Sequence, residues 1–510
     1  PHKTDTEFRM ITFMSTSPTN APQAVRSSGG IFELTATELS QAIHARDVSC
    51  VDVLDAFQAQ IDRFNPQVNA IVAPMPREAL HAQAAELDAQ LARGESRGLM
   101  HGFPQAPKDI MPAKGMVTTR GSPIFKGQVS QTDAVVFERM RASGALFVGR
   151  TNSPEFGLGG HTYNEVYGTT RNAFDPSRSA GGSSGGAAVS VALHMLPLAD
   201  GSDMMGSLRT PAAFNHVFGM RTSVGCIPPG PTEEFFFQQF SVAGPMARNV
   251  PDLALMMSVI GGFDARLPLT QKTRVDFAAP LERDFRGKRI AWLGDLNGHL
   301  PMEPGVLAIC EQALVHFESL GCEVERVVPQ FDMEHLWNAW LDLRSFQFAG
   351  TNRALYDDAE KRKLLKPEAV WEMERGLALS AMQVYDAARV RSAWYDCVRR
   401  LHETYEAVLL PSAQVFPFDT DLDWPHAIAG RDMDTYHRWM QTVIGPTLAG
   451  LPALSVPAGT NAQGWPVGLQ IIGRAQDDFG VLQLGHAYDG ASGASRVRSP
   501  LLDALRQPAV

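Results

Sequence analysis

Cysteine is scarce in this sequence and follows no recognisable pattern. The 510 residues contain 5 cysteines, an odd number, and no Cys-x-x-Cys spacing. That composition excludes a disulfide framework and gives no support for a structural zinc site. None of the 14 histidines falls in the His-Glu-x-x-His pattern of zinc hydrolases. The sequence therefore predicts no metal and no cofactor, and the free thiols predict a reducing, cytoplasmic compartment.

An excess of positive charge is also missing. Lys and Arg total 45 against 55 Asp and Glu, which gives a formal net charge of −10. A nucleic-acid groove or a basic membrane surface needs clustered Lys and Arg. We therefore expect neither partner, and we expect a small organic molecule instead.

No apolar run is long and continuous enough to predict a membrane span. The longest uncharged stretch lies between Arg438 and Arg474, and a spanning helix of ~20 residues would be far less broken by proline. The prolines that interrupt the stretch are Pro446, Pro452, Pro457 and Pro466. Residues 1–30 lack the apolar segment of a signal peptide, and we interpret them as a frayed or disordered tail.

Two amphipathic helices are predicted after this tail. Ser49 and Asp52 form a capping pair before apolar residues that recur three and four positions apart. That helix should end at Asn65, because the proline that follows disfavours helix at the residue before it. A second helix is predicted over residues 77–93, with glycine as its stop.

The pattern changes between residues 102 and 228. Short apolar runs such as Met195–Ala199 resemble buried strands, and Ala187–His194 suits a packed helix. Further strands are predicted at Arg289–Gly294 and Ala407–Pro411. Helices alternating with strands predict an α/β architecture, and we find neither an internal repeat nor a convincing linker.

The densest chemical signal is a pair of loops rich in glycine and serine, GGSSGG at 181–186 and GSDMMGSLR at 201–209. Small residues allow tight turns, and hydroxyls among them supply nucleophiles or proton carriers. A phosphate loop is excluded because no lysine follows the glycines. The first loop fits Gly-x-Ser-x-Gly, so Ser183 is a candidate nucleophile of an α/β-hydrolase elbow. A flexible loop or an anion-binding nest remains an alternative.

Lys108 lies in an apolar stretch framed by prolines, upstream of both loops. A lysine with a pKa near ~10.4 is a poor base at neutral pH, but burial lowers that pKa by several units. A buried Lys108 would therefore serve as a base. The alternative is an exposed turn formed by Lys108 and Asp109.

Taken together, these segments resemble the amidase signature family. Ser207 lies 24 positions after Ser183, as the family spacing requires, and Lys108 follows a matching Gly-Phe-Pro segment. The likeness runs from about residue 30 to residue 490. Other matching segments are TTRGS at 118–122, GPMAR at 244–248 and GPTLAGLPA at 445–453.

The resemblance implies an α/β fold in which a large mixed central β-sheet is sandwiched by helices. It implies one domain over residues 31–500. Its parts would be N-terminal helices at 31–95, a catalytic signature core at 100–230 and a variable substrate-side region at 270–440. It also implies a homodimer.

The resemblance further implies a catalytic triad. Ser207 would be the nucleophile, Ser183 a bridging serine after a cis peptide bond, and Lys108 the base. Protons would pass from Ser207 to Ser183 and from Ser183 to Lys108.

The resemblance places an oxyanion hole in the loop that carries the nucleophile. Its donors would be the backbone N–H groups of Met204, Met205, Gly206 and Ser207. The family usually has two glycines before the nucleophile, whereas this chain has Met205 and Gly206. Methionine adds bulk and disfavours a positive φ, so we expect an altered hole and acyl pocket.

Three neighbouring residues are expected to support the site. Asp203 and Arg209 flank the nucleophile and would brace its loop, because buried charges need partners. The Ser184 hydroxyl would assist by hydrogen bonding, or would only satisfy the loop.

The candidate substrate-binding residues are aromatic: Phe235, Phe236, Trp337 and Tyr436. Such side chains suit an apolar or aryl substrate, and ordinary core packing is the alternative. We therefore expect an amidohydrolase that uses water to cleave the C–N bond of a small, apolar or aryl linear amide. Carbamates, anilides, esters and cyclic oligoamides share that chemistry, and the A-type subunit of an amidotransferase is a further alternative.

Overall fold

Helices and strands alternate along the part of the chain that the computed structural model describes, residues 30–237, 239–272 and 275–503. The predicted tail at 1–30 lies outside the described residues, apart from Gly30. The α-helices are Ala36–Ala45 (α1), Cys50–Val68 (α2), Arg77–Ala92 (α3), Val135–Ala142 (α4), Gly185–Ala192 (α5), Arg209–Phe214 (α6), Val250–Ile260 (α7), Val306–Ser319 (α8), Met333–Asp357 (α9), Ala359–Arg362 (α10), Pro367–Ala378 (α11), Ala381–Thr404 (α12), Ile444–Ala449 (α13), Asp478–Ser492 (α14) and Pro500–Asp503 (α15).

The strands are Ile71–Val72 (β1), Pro104–Gln105 (β2), Leu146–Phe147 (β3), Arg150–Thr151 (β4), Ala199–Asp203 (β5), Phe218–Arg221 (β6), Val242–Ala247 (β7), Arg289–Trp292 (β8), Glu323–Arg326 (β9), Ala407–Pro411 (β10), Ala427–Ile428 (β11), Arg431–Asp432 (β12), Ala453–Thr460 (β13) and Pro466–Ile472 (β14). Short 3₁₀ helices occur at Ile31–Glu33, Pro123–Phe125, Glu155–Gly157, Arg438–Val443 and Ala494–Arg496.

A central sheet of eight strands has the order β5-β7-β6-β13-β14-β10-β8-β9. Neighbours from β5 to β10 pair antiparallel, whereas β10, β8 and β9 run parallel. The sheet is therefore mixed.

Alternation of side chains along the strands divides the core between the two faces of this sheet. Leu454 and Ile471 belong to one apolar cluster, whereas their strand neighbours Ala453 and Ile472 belong to the other. The first cluster includes residues of α7, α8 and α14, and the second includes residues of α9, α12 and α13. Because successive side chains of a strand point to opposite faces, helices cover the sheet on both sides. The predicted α/β fold with a sandwiched mixed sheet is confirmed.

The predicted start of α2 is confirmed, but its predicted end is wrong. Asp52 N–H donates to Ser49 Oγ and Ser49 N–H donates to Asp52 Oδ2, which is a complete capping box. The helix continues through Pro66 to Val68. It does so because the hydrogen bond from Asn69 N–H to Asn65 O closes one more turn around the proline.

The strand predicted over Met195–Ala199 is also wrong for its first four residues. The N–H groups of Met195 and Leu196 both donate to Ser190 O, which folds the chain back against the end of α5. The strand therefore begins only at Ala199. None of the described helices combines the length and the apolar composition needed to cross a bilayer.

Candidate active site

Lys108 lies fully buried beside three serine hydroxyls. It follows β2 and forms a bridge with Thr151 of β4. Its Nζ lies 2.7 Å from Ser183 Oγ, 2.9 Å from Ser184 Oγ and 3.0 Å from Ser202 Oγ. The exposed turn considered from the sequence is therefore wrong, and the amine is held against the first serine-rich loop.

Burial lowers the pKa of Lys108 to about 7. Removal from water disfavours the charged ammonium, and the nearby carboxylates of Asp200 and Asp203 offset only part of that effect. Asp200 also accepts the backbone N–H of Lys108, and burial raises its own pKa to about 6. A substantial fraction of Lys108 is therefore neutral at physiological pH.

The serines at 183 and 184 lie at the entry to α5, and the Gly182–Ser183 peptide bond is cis. Ser184 Oγ donates to Ser202 O at 3.3 Å. Since its one hydrogen is used there, Ser184 accepts from Lys108 rather than donating to it. Ser183 has no such competing acceptor among the described residues, so its hydroxyl is free to donate toward Lys108.

Ser207 lies in the loop between β5 and α6 and lines the same cavity as Ser183 and Ser202. Within the described chain no hydrogen bond joins Ser207 Oγ to Ser183 Oγ. Catalytic hydrogen bonds are often long before substrate binds. The structure thus places Ser183 and Ser207 in the lining of one cavity, and Lys108 contacts this lining from the buried side through Ser183.

The backbone N–H groups of the loop at 203–208 differ in whether they already have a hydrogen-bond acceptor. Gly206 N–H donates to Asp203 Oδ1 at 3.0 Å, so the prediction that it is available to an oxyanion is wrong. No hydrogen bond to another described residue occupies the N–H groups of Met204, Met205 or Ser207.

The left-handed residue of this loop is Gly206, with a φ of 76°, and not Met205. A Cβ at 206 would also lie 2.8 Å from Val443 Cγ2. The expected conflict between methionine and a positive φ therefore does not arise, because the single remaining glycine occupies the position that needs it.

Asp203 and Arg209 form a fully buried pair that ties this loop to the sheet. Arg209 Nε and Nη2 donate to the two oxygens of Asp203 at 3.0 Å and 2.9 Å. Arg209 Nη1 reaches Gln470 Oε1 on β14, and Arg221 Nη1 donates to the backbone oxygen of Asp203. These arginines hold the pKa of the Asp203 carboxyl well below its usual range, despite burial.

A cavity of about 100 Å³ is lined by Ser183 and Ser207, and apolar side chains and one arginine form much of the rest of its wall. Its lining comprises Ile110, Phe156, Gly157, Leu158, Gly159, Ser183, Ser202, Met204, Met205, Ser207, Ser241, Arg344, Phe348 and Met440. The rings of Phe156 and Phe348 meet edge to face, with centroids 6.1 Å apart.

The four aromatic residues proposed from the sequence as pocket walls do not line this cavity. Phe235 and Phe236 are exposed at the surface, and Phe236 is 61% exposed. Trp337 is fully buried in the second core cluster, which agrees with the alternative interpretation of core packing. Tyr436 is buried one layer behind the wall, where its hydroxyl accepts from Arg344.

Sequence reasoning missed Arg344 and Phe348, both on α9. A signal was present, because Trp337, Trp340, Arg344 and Phe348 recur at helical spacing and put one charge on an apolar stripe. A charge on a buried stripe needs a partner or a function. Within residues 30–503, positions 238, 273 and 274 aside, no three His, Cys, Asp or Glu side chains converge as a metal ion would require.

Comparison with known proteins identifies the family of this chain. The family model described as Amidase matches residues 52–482. An acylamidase of Rhodococcus erythropolis is 33% identical over 456 residues, which cover 88% of this chain and 94% of that protein. The A-type subunit of glutamyl-tRNA(Gln) amidotransferase from Lactiplantibacillus plantarum is 32% identical, with coverage of 90% and 97%.

Among solved structures, a bacterial aryl acylamidase of the amidase signature enzymes superimposes with a TM-score of 0.86 at 27% identity. The match covers 93% of this chain and 99% of that structure. The chain therefore belongs to the amidase signature family, and it is an amidase.

Proposed function

We propose that the protein hydrolyses the C–N bond of a small carboxylic amide through an acyl-enzyme on Ser207. The observation that carries this proposal is the buried Lys108 Nζ, 2.7 Å from Ser183 Oγ on the wall that also holds Ser207. A lysine with a pKa of about 7 supplies the neutral amine that a base requires.

The reaction begins with two proton transfers. Neutral Lys108 takes the proton of Ser183, and Ser183 takes the proton of Ser207 as Ser207 Oγ bonds to the amide carbon. The tetrahedral intermediate collapses when the relay returns that proton to the departing amine and the C–N bond breaks. Water then enters by the same relay and releases the acid. General acid–base assistance of this kind contributes ~10²–10⁴ in rate.

The negative oxygen of the tetrahedral intermediate would be met by backbone donors of the same loop. The N–H groups of Met204, Met205 and Ser207 are the candidates, because Gly206 N–H is held by Asp203. Loss of one such donor typically costs ~2.7–4 kcal/mol of transition-state stabilisation.

An apolar or aryl substrate fits the cavity wall best. Phe156 and Phe348 offer ring edges and faces, and Met440 and Leu158 add apolar surface. The names of the acylamidase and aryl acylamidase relatives support the same class. Anilides, carbamates, esters and cyclic oligoamides pass through an equivalent acyl-enzyme. The mechanism alone therefore does not select which of these bonds the enzyme cleaves.

The test is side-by-side hydrolysis of an aliphatic amide, an anilide and a carbamate by the wild type and Ser207→Ala. We expect at least one to release amine or ammonia, and that release should vanish in Ser207→Ala. Unchanged turnover in Ser207→Ala would reject the acyl-enzyme. Ser319→Ala is the matched control, because Ser319 lies exposed at the end of α8.

A second candidate is the role of the A-type subunit in an amidotransferase. Identity of 32% over most of the chain to such a protein favours it. That role requires a non-identical partner, whereas the amidohydrolase acts alone. A reducing, cytoplasmic location suits either role, since Cys50, Cys226, Cys310, Cys322 and Cys397 are buried free thiols.

A further inference from the structure

Arg344 presents part of its guanidinium to the cavity without a strong acceptor. Its side chain is nine-tenths buried, and the residue is 4% exposed. Nε donates to Glu372 Oε1 at 2.5 Å, and Nη2 donates to Tyr436 Oη at 2.7 Å. The contact of Nη1 among the described residues is Met204 Sδ at 3.6 Å, and a thioether is a weak acceptor.

The guanidinium is fixed from behind by a saturated network. Glu372 Oε1 also accepts from Tyr436 Oη at 2.8 Å, and Glu372 Oε2 accepts from Ser345 Oγ at 2.6 Å. Glu372 is fully buried. This network holds the plane of the guanidinium, so Nη1 stays beside Met204, with the weakly accepting thioether as its contact.

The charge balance of this network favours a neutral partner for Nη1. The carboxylate of Glu372 already compensates the positive charge of Arg344. Among the described residues that line the cavity, Arg344 is the one that carries a charge. A substrate carboxylate would add an uncompensated buried negative charge. An uncharged carbonyl oxygen would satisfy the N–H groups without that cost.

We propose that Arg344 is a specificity-determining residue that binds an uncharged acceptor oxygen of the substrate through Nη1. The preferred substrates are thus amides that carry a second neutral carbonyl, such as a ketone, an ester or another amide. This inference rests on the proposed amidohydrolase function. It adds one cationic hydrogen-bond donor to a cavity whose other lining residues among those described are uncharged.

The test compares amides that differ only by a methylene replaced with a carbonyl. Levulinamide against pentanamide varies the acyl portion, and N-acetonylacetamide against N-propylacetamide varies the amine portion. In at least one pair we expect the carbonyl compound to be preferred ~10–100-fold in kcat/KM, mainly through KM. Succinamate, which replaces the ketone methyl of levulinamide with a charged oxygen, should be hydrolysed less well than levulinamide.

The preference should disappear in the double variant Arg344→Gln/Glu372→Gln, which removes both charges and leaves no unpaired carboxylate. Arg344→Lys is the second variant, because it keeps a charge beside Glu372 but loses the planar fork. Arg375→Gln/Asp342→Asn removes another ion pair between α9 and α11 and should keep the preference.

Three results would overturn the proposal. The wild type could show no preference in either pair, the preference for the carbonyl compound could persist in both Arg344 variants, or the wild type could prefer succinamate to levulinamide. Calorimetric binding of levulinamide and pentanamide to Ser207→Ala makes the same comparison without turnover. Tighter binding of levulinamide with no hydrolysis by the wild type would reject the amidohydrolase and keep the Arg344 site. Hydrolysis of plain amides without a preference for the carbonyl compound would keep the amidohydrolase and reject the Arg344 site.

Discussion

At the scale of single residues, the proposed chemistry depends on how little water surrounds Lys108. Its ammonium form has three N–H donors and meets three hydroxyl oxygens, those of Ser183, Ser184 and Ser202. Loss of one proton leaves a lone pair that one hydroxyl must face. Ser184 directs its hydrogen to a carbonyl, and of the two remaining hydroxyls that of Ser183 lies nearer to the amine than that of Ser202, at 2.7 Å against 3.0 Å.

The pH dependence of kcat/KM should report Lys108. Its pKa is lowered to about 7, so the amine is neutral above that pH and protonated below it. We expect activity to reach a plateau above pH ~7 and to fall about tenfold per unit on the acid side. A profile that is flat from pH 5 to pH 8, with folding intact, would contradict the assignment of the base.

Ser184→Ala should move that acid limb to lower pH. The hydroxyl accepts from Lys108 and stabilises the ammonium more than the neutral amine, so its loss lowers the pKa of Lys108, by roughly one unit. Ser190→Ala is the matched control, because Ser190 is a buried serine of α5, the helix that Ser184 precedes, and it donates to Gly186 O. A limb that moves upward, or moves equally in both variants, would refute this role.

At the scale of elements, the loop between β5 and α6 is organised by one carboxylate. Asp203 accepts the N–H groups of Gly206 and Leu208 and pairs with Arg209 and Arg221. Removing one partner of a buried pair leaves the other charge uncompensated.

Asp203→Asn should therefore destabilise the fold by about 3–5 kcal/mol, measured as a lower midpoint in urea unfolding. Asp284→Asn breaks an exposed pair with Arg286 and should leave the midpoint unchanged. Equal midpoints for Asp203→Asn and the wild type would show that the loop does not depend on this pair.

The elements that could be predicted from sequence are those that local interactions decide. The bounds of α3 and β10 and the cap of α2 follow from periodicity and a capping box. Pro66 and Met195 were misjudged because a hydrogen bond around the proline and a return contact to Ser190 decide their conformation.

At the scale of the whole molecule, the cavity unites segments distant in sequence. The candidate triad could be recognised because its spacing lies in a few short motifs. The cavity wall could not, because Phe156, Arg344 and Met440 meet only through the packing of α9 and the 3₁₀ helices against the loops. Aromatic content alone did not separate Trp337 in the core from Phe348 in the wall.

The protein purified as a single polypeptide should hydrolyse an amide without any second protein. The hydroxyls of the proposed relay and the proposed base all come from one chain, so we expect the rate per molecule to be independent of dilution. Sedimentation of the active fraction checks that no other polypeptide is present. Activity that appears only after addition of a non-identical partner protein would favour the amidotransferase role.

The most direct test of the account is to find which serine forms the covalent intermediate. The protein is treated with a fluorophosphonate, digested, and its labelled peptide is sequenced by mass spectrometry, with Lys108→Ala as the comparison. The account predicts the label on Ser207, with much slower labelling in Lys108→Ala. A label on Ser183, formed at the same rate without Lys108, would contradict it.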